Sequence, residues 1–205
     1  MLHEIDTALR SLLAAELPAG TAVRFDPPEV SWRGPQPVVG LFLHQVQEDV
    51  DSRVAAWSEE RDADGALLGR RAPVRRYQVH YLLTGWAADV AREHELLGAA
   101  LRGLARHDAV AAEHLTGSLL AAGLPVLLAV ARPGPAGARP ELWSALGVVP
   151  RPAIDVLVTA TVVPPLDTEL TEPPARVDLA VAGRLPPVAA QRPRRVPQRR
   201  ITEAS

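Results

Sequence analysis

The sequence predicts an α+β fold: one two-layer domain in which helices flank a mixed, largely antiparallel β-sheet, followed by a Pro- and Arg-rich C-terminal extension. Three observations lead to this prediction. Apolar residues recur at helical spacing in some segments, four other segments have strand patterns, and two of those strands follow each other without an intervening helix. We expect the domain to span residues 1–165 and the extension residues 166–205.

The first predicted element is an amphipathic helix at the N-terminus, which Pro18 and Gly20 end. Its apolar face is formed by Leu2, Ile5, Leu9, Leu12 and Leu13. Residues 21–36 contain several helix and strand breakers, so we expect an irregular crossing with a short strand at 22–25.

Two strands are predicted next. Residues 38–46 are apolar on both faces, which indicates a central strand that is covered on two sides. Residues 49–71 are charged and predict a long exposed loop or a loose hairpin with its tip at 62–65. Residues 75–83 alternate between apolar and polar side chains, which is typical of a half-buried strand.

A second amphipathic helix is predicted from the cap residue Asp89 to about His107. Its inner stripe is expected to contain Val90, His94, Leu97, Leu101 and Leu104, with Glu93 outside. The remaining predicted elements are a short helix at 111–121, a strand at 125–131, a helical turn at 141–146 and a last strand at 153–163.

The C-terminal extension changes in composition. It is rich in proline, and residues 184–200 carry six arginines and no acidic residue. Such a segment builds no core of its own, so we expect an extended tail with a possible short strand at 177–181.

Composition excludes several classes of function. The chain has no cysteine, which removes disulfides, iron–sulfur clusters and thiolate zinc sites. The net charge is −2, so no overall positive field attracts nucleic acid or anionic membranes. No signal peptide or membrane-spanning run is visible, and all basic residues are arginine, as in GC-rich bacterial genomes. We expect a soluble bacterial protein of the cytoplasm.

No catalytic motif is complete. His94-Glu95 begins like a zinc-binding helix, but Gly98 stands where the second histidine would be needed. Ser118 follows Gly117 but lacks the second glycine of a nucleophile elbow, and a phosphate-binding loop needs a lysine that this chain does not contain. We therefore expect no enzyme activity and no catalytic, metal-binding or cofactor-binding site.

Partner contacts are predicted from tryptophan and arginine. Trp86 and Trp143 are expected in the core, whereas Trp32 and Trp57 in loops fit an interface or local packing equally well. Arg192, Arg194 and Arg195 could contact an acidic protein surface. No aromatic residue stands among them to stack bases, so nucleic acid is not expected as a partner.

Several segments occur in an order that is similar to a known family. They are 5–13, Phe25–Pro28, Val38–His44 with Arg53, Tyr81–Ala87, Glu93–Gly98, Glu141–Gly147 and Arg151-Pro152. This order resembles the N-terminal domain of the cap, or tail-terminator, proteins of contractile injection systems, and the resemblance covers about residues 1–165. The Glu48-Asp49 pair departs from the family pattern, in which an acidic residue precedes asparagine.

The resemblance implies a structural protein without enzyme activity. It would close the inner tube and the sheath at the end distal to the baseplate, as a hexameric ring that contacts the inner tube protein and the sheath protein. The family motif would consist of Tyr81, Thr84, Trp86, His94, Leu97, Trp143 and Pro152. Two alternatives stay open at this point: a small adaptor that docks a partner through its Arg-rich tail, and an enzyme with an unrecognised site.

Overall fold

The structure, a computed structural model, describes residues 1–132 and 140–168, apart from the side chain of Pro140. The helices are α1 (Leu2–Ala14), α2 (Val90–Leu104), α3 (Gly117–Ala122) and α4 (Pro140–Leu146). The strands are β1 (Ala22–Arg24), β2 (Val38–Glu48), β3 (Ser58–Arg61), β4 (Leu67–Arg71), β5 (Arg75–Trp86), β6 (Leu127–Val130), β7 (Ala153–Val162) and β8 (Leu166–Asp167). The predicted α+β class with a mixed sheet is confirmed.

The main sheet has five strands in the order β1-β2-β5-β7-β6. Strand β1 runs parallel to β2, and all other neighbours are antiparallel. Alternation along β5 places Val79, Tyr81 and Leu83 on one face, where they are fully buried. Helices α1 and α2 cover this face with their own apolar stripes, so the larger core lies between them and the sheet.

Among the described residues, the opposite face of the sheet is covered at one end only. There a second, smaller core gathers buried residues from the 3₁₀ turn Val30–Trp32, from β2 and β5, and from α4. Its members are Trp32, Val38, Leu82, Trp86, Trp143 and Val148. The two-sided burial predicted for residues 38–46 is confirmed for 38–41 only, since 42–45 are partly buried and Val46 is exposed. Both core tryptophans lie where the sequence predicts them.

A smaller sheet, β3-β4-β8, continues the main sheet. Each of its strands connects along the chain to one of the three central strands, β2, β5 and β7, and the order is the same in both sheets. The two sheets together therefore form one long three-stranded ribbon with a seam across it. We call the part beyond the seam, residues 49–74 with 163–168, the arm.

Prolines explain the seam on two of its three strands. Pro73 separates β4 from β5, and Pro164 with Pro165 separates β7 from β8. Proline has no backbone N–H and cannot donate to the ladder, so the hydrogen bonding stops at these positions. The hairpin that the sequence left as one of two possibilities at 49–71 is present, with the Asp62 carboxylate accepting from the backbone N–H of Asp64 and Ala66 at its tip.

Helix α2 differs from the sequence prediction in its rotation. Glu93, expected outside, is buried, and His94, expected on the inner stripe, is exposed. The buried stripe is Glu93, Leu96, Leu97, Ala99, Ala100, Gly103 and Leu104. Small alanine and glycine side chains allow this face to approach the sheet closely, and a pattern judged by large apolar residues overlooks them.

The C-terminal boundary also differs in detail. Leu166 and Asp167 pair with Arg71 and Arg70 of β4, so they belong to the ordered arm and not to the tail that was predicted from residue 166. The possible strand at 177–181 lies outside the described residues.

Candidate docking surfaces

The tryptophan cluster closes one end of the main sheet. The Trp32 and Trp86 rings meet edge to face with their centroids 5.9 Å apart, and the Trp86 indole N–H donates to the Thr84 hydroxyl at 2.9 Å. Trp32 is only 4% exposed, so the interface role that was one of its two predicted possibilities is excluded for the folded monomer. A Cβ at Gly40 would lie 2.6 Å from the Trp32 ring, so glycine is needed here for the ring to reach the strand.

An ion pair lies against this cluster. The Arg151 guanidinium approaches the buried Glu93 carboxylate at 3.0 Å, and its Cζ lies 4.5 Å from the centroid of the Trp86 ring. The pair joins helix α2 to the segment that enters β7. Sequence reasoning missed it because Glu93 was placed outside, although Glu93 and Arg151-Pro152 both belong to the segments that carry the resemblance. Removing one partner of such a buried pair leaves an uncompensated charge in the interior and is strongly destabilising.

The remaining motif residues are structural in their positions. Tyr81 is buried and donates its hydroxyl proton to the Asp6 carboxylate at 2.7 Å, which ties β5 to α1. Burial and this hydrogen bond raise the pKa of Tyr81 far above its usual range. Leu97 and Trp143 are buried, whereas Pro152 is exposed.

The arm presents apolar side chains to solvent. Trp57, immediately before β3, is 57% exposed, which leaves the predicted contact role open to it. The glutamates of the arm and of its base are in ion pairs: Glu59 pairs with Arg61 and Arg70, Glu60 pairs with Arg71, and Glu48 pairs with Arg53 and Arg75. The hydrogen bonds from Arg53 and Arg75 lower the pKa of Glu48 to about 2.

The sheet edges differ in whether they can accept a further strand. At β1, Arg10 donates from its guanidinium to the Val23 carbonyl at 3.0 Å and so occupies the outer edge. At β6, the segment 108–110 makes backbone hydrogen bonds to Val126 and Leu128. Strand β3 has β4 on one side and, among the described residues, no backbone partner on the other. An open edge of this kind can take up a strand from another chain.

Three further features bear on the predicted sites. Within residues 1–132 and 140–168, no group of three or more metal-ligating side chains is close enough to hold an ion. None of the helices described is both long and apolar enough to span a bilayer. Arg192, Arg194 and Arg195 lie outside the described residues.

Comparison with known proteins identifies the family. The family model described as the Pvc16 N-terminal domain matches residues 4–177, which include both cores and the whole described arm. The chain belongs to the Pvc16 N-terminal domain family. No curated protein sequence matches it significantly.

Two solved structures share the fold of this Pvc16 N-terminal domain. One is the sheath/tube terminator of the extracellular contractile injection system PVC in its extended state, with 23% identity and a TM-score of 0.61. The other is the tube-terminating cap of the anti-feeding prophage, AFP, with 21% identity and a TM-score of 0.63. The alignments cover 89% and 88% of this chain but only 65% and 62% of those proteins, so this chain corresponds to less than two thirds of their length.

Proposed function

We propose that the protein is a structural cap without enzyme activity, which terminates the inner tube and the sheath of a contractile injection system at the end distal to the baseplate, as a hexameric ring. The observation that carries the proposal is the family match over residues 4–177. The fold shared with a sheath/tube terminator and with a tube-terminating cap supports it further.

The open edge of β3 supplies a means of contacting the sheath. A terminator must engage the last sheath or tube subunit and then offer no further site for growth. Strand β3 can accept one partner strand along residues 58–61, whereas Arg10 and the segment 108–110 hydrogen-bond to the outermost strands of the main sheet. On the other side of the smaller sheet β8 has only two residues, so β3 is the longer acceptor edge of the arm.

The Arg-rich tail would add a charged contact. We place Arg192, Arg194 and Arg195 against acidic side chains of the tube or of a neighbouring copy, because guanidinium groups form paired hydrogen bonds with carboxylates. Assembly on a particle places the protein in the bacterial cytoplasm while the particle is built.

Binding to purified particles tests the proposal. Tube–sheath particles that lack this protein are incubated with the fluorescently labelled full-length chain and viewed by electron and fluorescence microscopy. We expect label at one end only, opposite the baseplate, and a soluble ring of six times the 22.0-kDa chain mass by light scattering. Label along the whole sheath, label at the baseplate end or no label at all would each overturn the proposal.

A further inference from the structure

Two exposed apolar patches lie at opposite ends of the ribbon. The first, the arm patch, consists of Val46, Val50, Val54, Trp57 and Leu68, all of which are exposed. These five account for a large part of the exposed apolar side chains in the described chain, yet they come from 23 consecutive residues, 46–68. Monomeric proteins rarely leave so many large apolar side chains together in water.

The second patch, the rim patch, consists of three exposed valines that lie near the tryptophan cluster in the sequence, Val30, Val90 and Val149. Val149 is the most exposed of them at 79%. Each valine is close in sequence to a residue of the tryptophan cluster or to one that contacts it. Val30 precedes Trp32, Val90 follows Trp86, and Val149 precedes Arg151, whose guanidinium lies over the Trp86 ring. All three therefore lie where β5 ends.

The length of the ladder separates the patches. Val38 pairs with Trp86 at the rim end, and Glu48 pairs with Tyr77 at the arm end. Ten residue steps along β2 correspond to about 33 Å. One copy therefore cannot cover either patch with the other, and both patches are exposed among the residues that the structure describes.

Charge indicates what kind of surface fits the arm. Residues 46–76 carry seven acidic residues and six arginines, a net charge of −1, and the glutamates of this stretch are all in ion pairs. The stretch that carries the arm patch, residues 46–76, is therefore close to neutral and suits an apolar partner surface more than a charged one. At the rim end the nearest charged pair, Glu93 with Arg151, is likewise neutralised.

We propose that the arm patch of one copy packs against the rim patch of the next copy. The contact joins two different surfaces, so it is heterologous, and a heterologous contact closes into a ring when its rotation divides the circle evenly. This inference rests on the proposed ring and adds the surfaces that form it.

A mixing experiment with two variants tests the contact. Trp57→Glu places a charge in the arm patch and leaves the rim patch unchanged. Val149→Glu places a charge in the rim patch and leaves the arm patch unchanged. Both side chains are exposed, so we expect both variants to keep the wild-type melting temperature. Leu120→Glu is the control, because Leu120 is 51% exposed on α3 and belongs to neither patch.

Light scattering distinguishes the outcomes. We expect wild type and Leu120→Glu to form rings and each patch variant alone to stay monomeric. An equimolar mixture of the two patch variants should give dimers and nothing larger. The unchanged arm patch of Val149→Glu can bind the unchanged rim patch of Trp57→Glu, and no second contact of this kind is then available. If both patch variants still form rings, the inference is wrong and the proposed cap function stands. A loss of assembly by Trp57→Glu alone would indicate arm-to-arm pairing, and a wild type that forms no ring, free or on the particle, would overturn the ring and the contact together.

Discussion

Glu4 belongs to helix α1, but its carboxylate lies at the N-terminus of helix α3. It accepts hydrogen bonds from the Ser118 hydroxyl at 2.6 Å, the Ser118 N–H at 3.0 Å and the Leu119 N–H at 3.2 Å. Gly117 has a positive φ of 54°, and a Cβ there would collide with the carboxylate, so only glycine allows this approach. The hydrogen bonds from Ser118 lower the pKa of Glu4 to about 2, against the opposing effect of burial.

Glu4→Gln should lower the free energy of unfolding by about 1–3 kcal/mol at neutral pH, because the amide nitrogen would face an N–H donor. The folded-state pKa of Glu4 lies below its ordinary value of 4.5, so the stabilisation is present above that pH and is lost as the pH falls toward 2. Urea unfolding of both proteins at neutral pH and at about pH 3 measures this.

The difference between wild type and Glu4→Gln should shrink at the lower pH, while the contribution of Glu48, which is common to both, cancels. Glu113→Gln is the matched control, because the Glu113 side chain is 78% exposed and should contribute almost nothing. A difference that stays constant across pH would contradict the role given to the Glu4 charge.

At the scale of the elements, helix α2 lies unusually close to strand β5. A Cβ on Gly85 would stand 2.7 Å from the Glu93 carbonyl oxygen and 3.1 Å from Leu97. With a Cβ at position 85, the backbone of helix α2 would have to move, because the nearest atom is a backbone carbonyl oxygen and no change of side-chain rotamer would relieve the contact. This approach is what brings the buried Glu93 within reach of Arg151.

Gly85→Ala should therefore destabilise the protein by about 1–3 kcal/mol, as overpacking of a core does. Gly98→Ala on the same helix is the control: a Cβ there meets only the flexible end of Arg102 at 3.5 Å. Alanine favours a helix over glycine, so this variant should gain about 0.5–1 kcal/mol. Thermal and urea unfolding measure both, and equal effects of the two substitutions would show that the helix has room to shift.

The elements that sequence predicts best are those whose burial follows a simple period. Strand β7 alternates as expected because it buries one row of large side chains, and β5 does so up to Tyr81, after which the second core buries its other face as well. The sequence prediction assigned the wrong buried face to helix α2. The inner face of this helix is built from alanine, glycine and a paired glutamate, which resemble the composition of a solvent-exposed face. The arm was left ambiguous because ion pairs and not apolar burial hold it, and such pairs follow no period.

At the scale of the whole molecule, the described strand pairs and both cores use residues up to Asp167. The docking surfaces lie mostly outside what sequence could place: Trp57 fitted an interface or local packing equally well, and Val30, Val90 and Val149 give no signal before the tryptophan cluster is assembled. Single valines in loops become a patch only through the fold.

A chain ending at Thr168 should melt within a few degrees of the full-length protein, because it keeps every described strand pair.

A chain ending at Pro165 loses β8 and its pairing with Arg70 and Arg71, so amide exchange should become faster in β4 while β5 stays protected. At low salt, both shortened chains should bind particle ends less tightly than the full-length protein. At high salt, all three chains should bind with the same low affinity, because salt screens the charged contacts of the tail. Unfolding of the chain that ends at Thr168 would contradict the assignment of the tail.

The occupied edges of the main sheet also govern how free copies behave at high concentration. Two copies that meet through β3 would join their three-stranded sheets into one six-stranded sheet, with the two-residue strand β8 at each outer edge. Arg10 at β1 and the segment 108–110 at β6 obstruct the outermost strands of the larger sheet. Edges as short as β8 give a further copy little to pair with, so accidental self-association through β3 would end at pairs, and a cell could accumulate the protein ahead of particle assembly without seeding fibres.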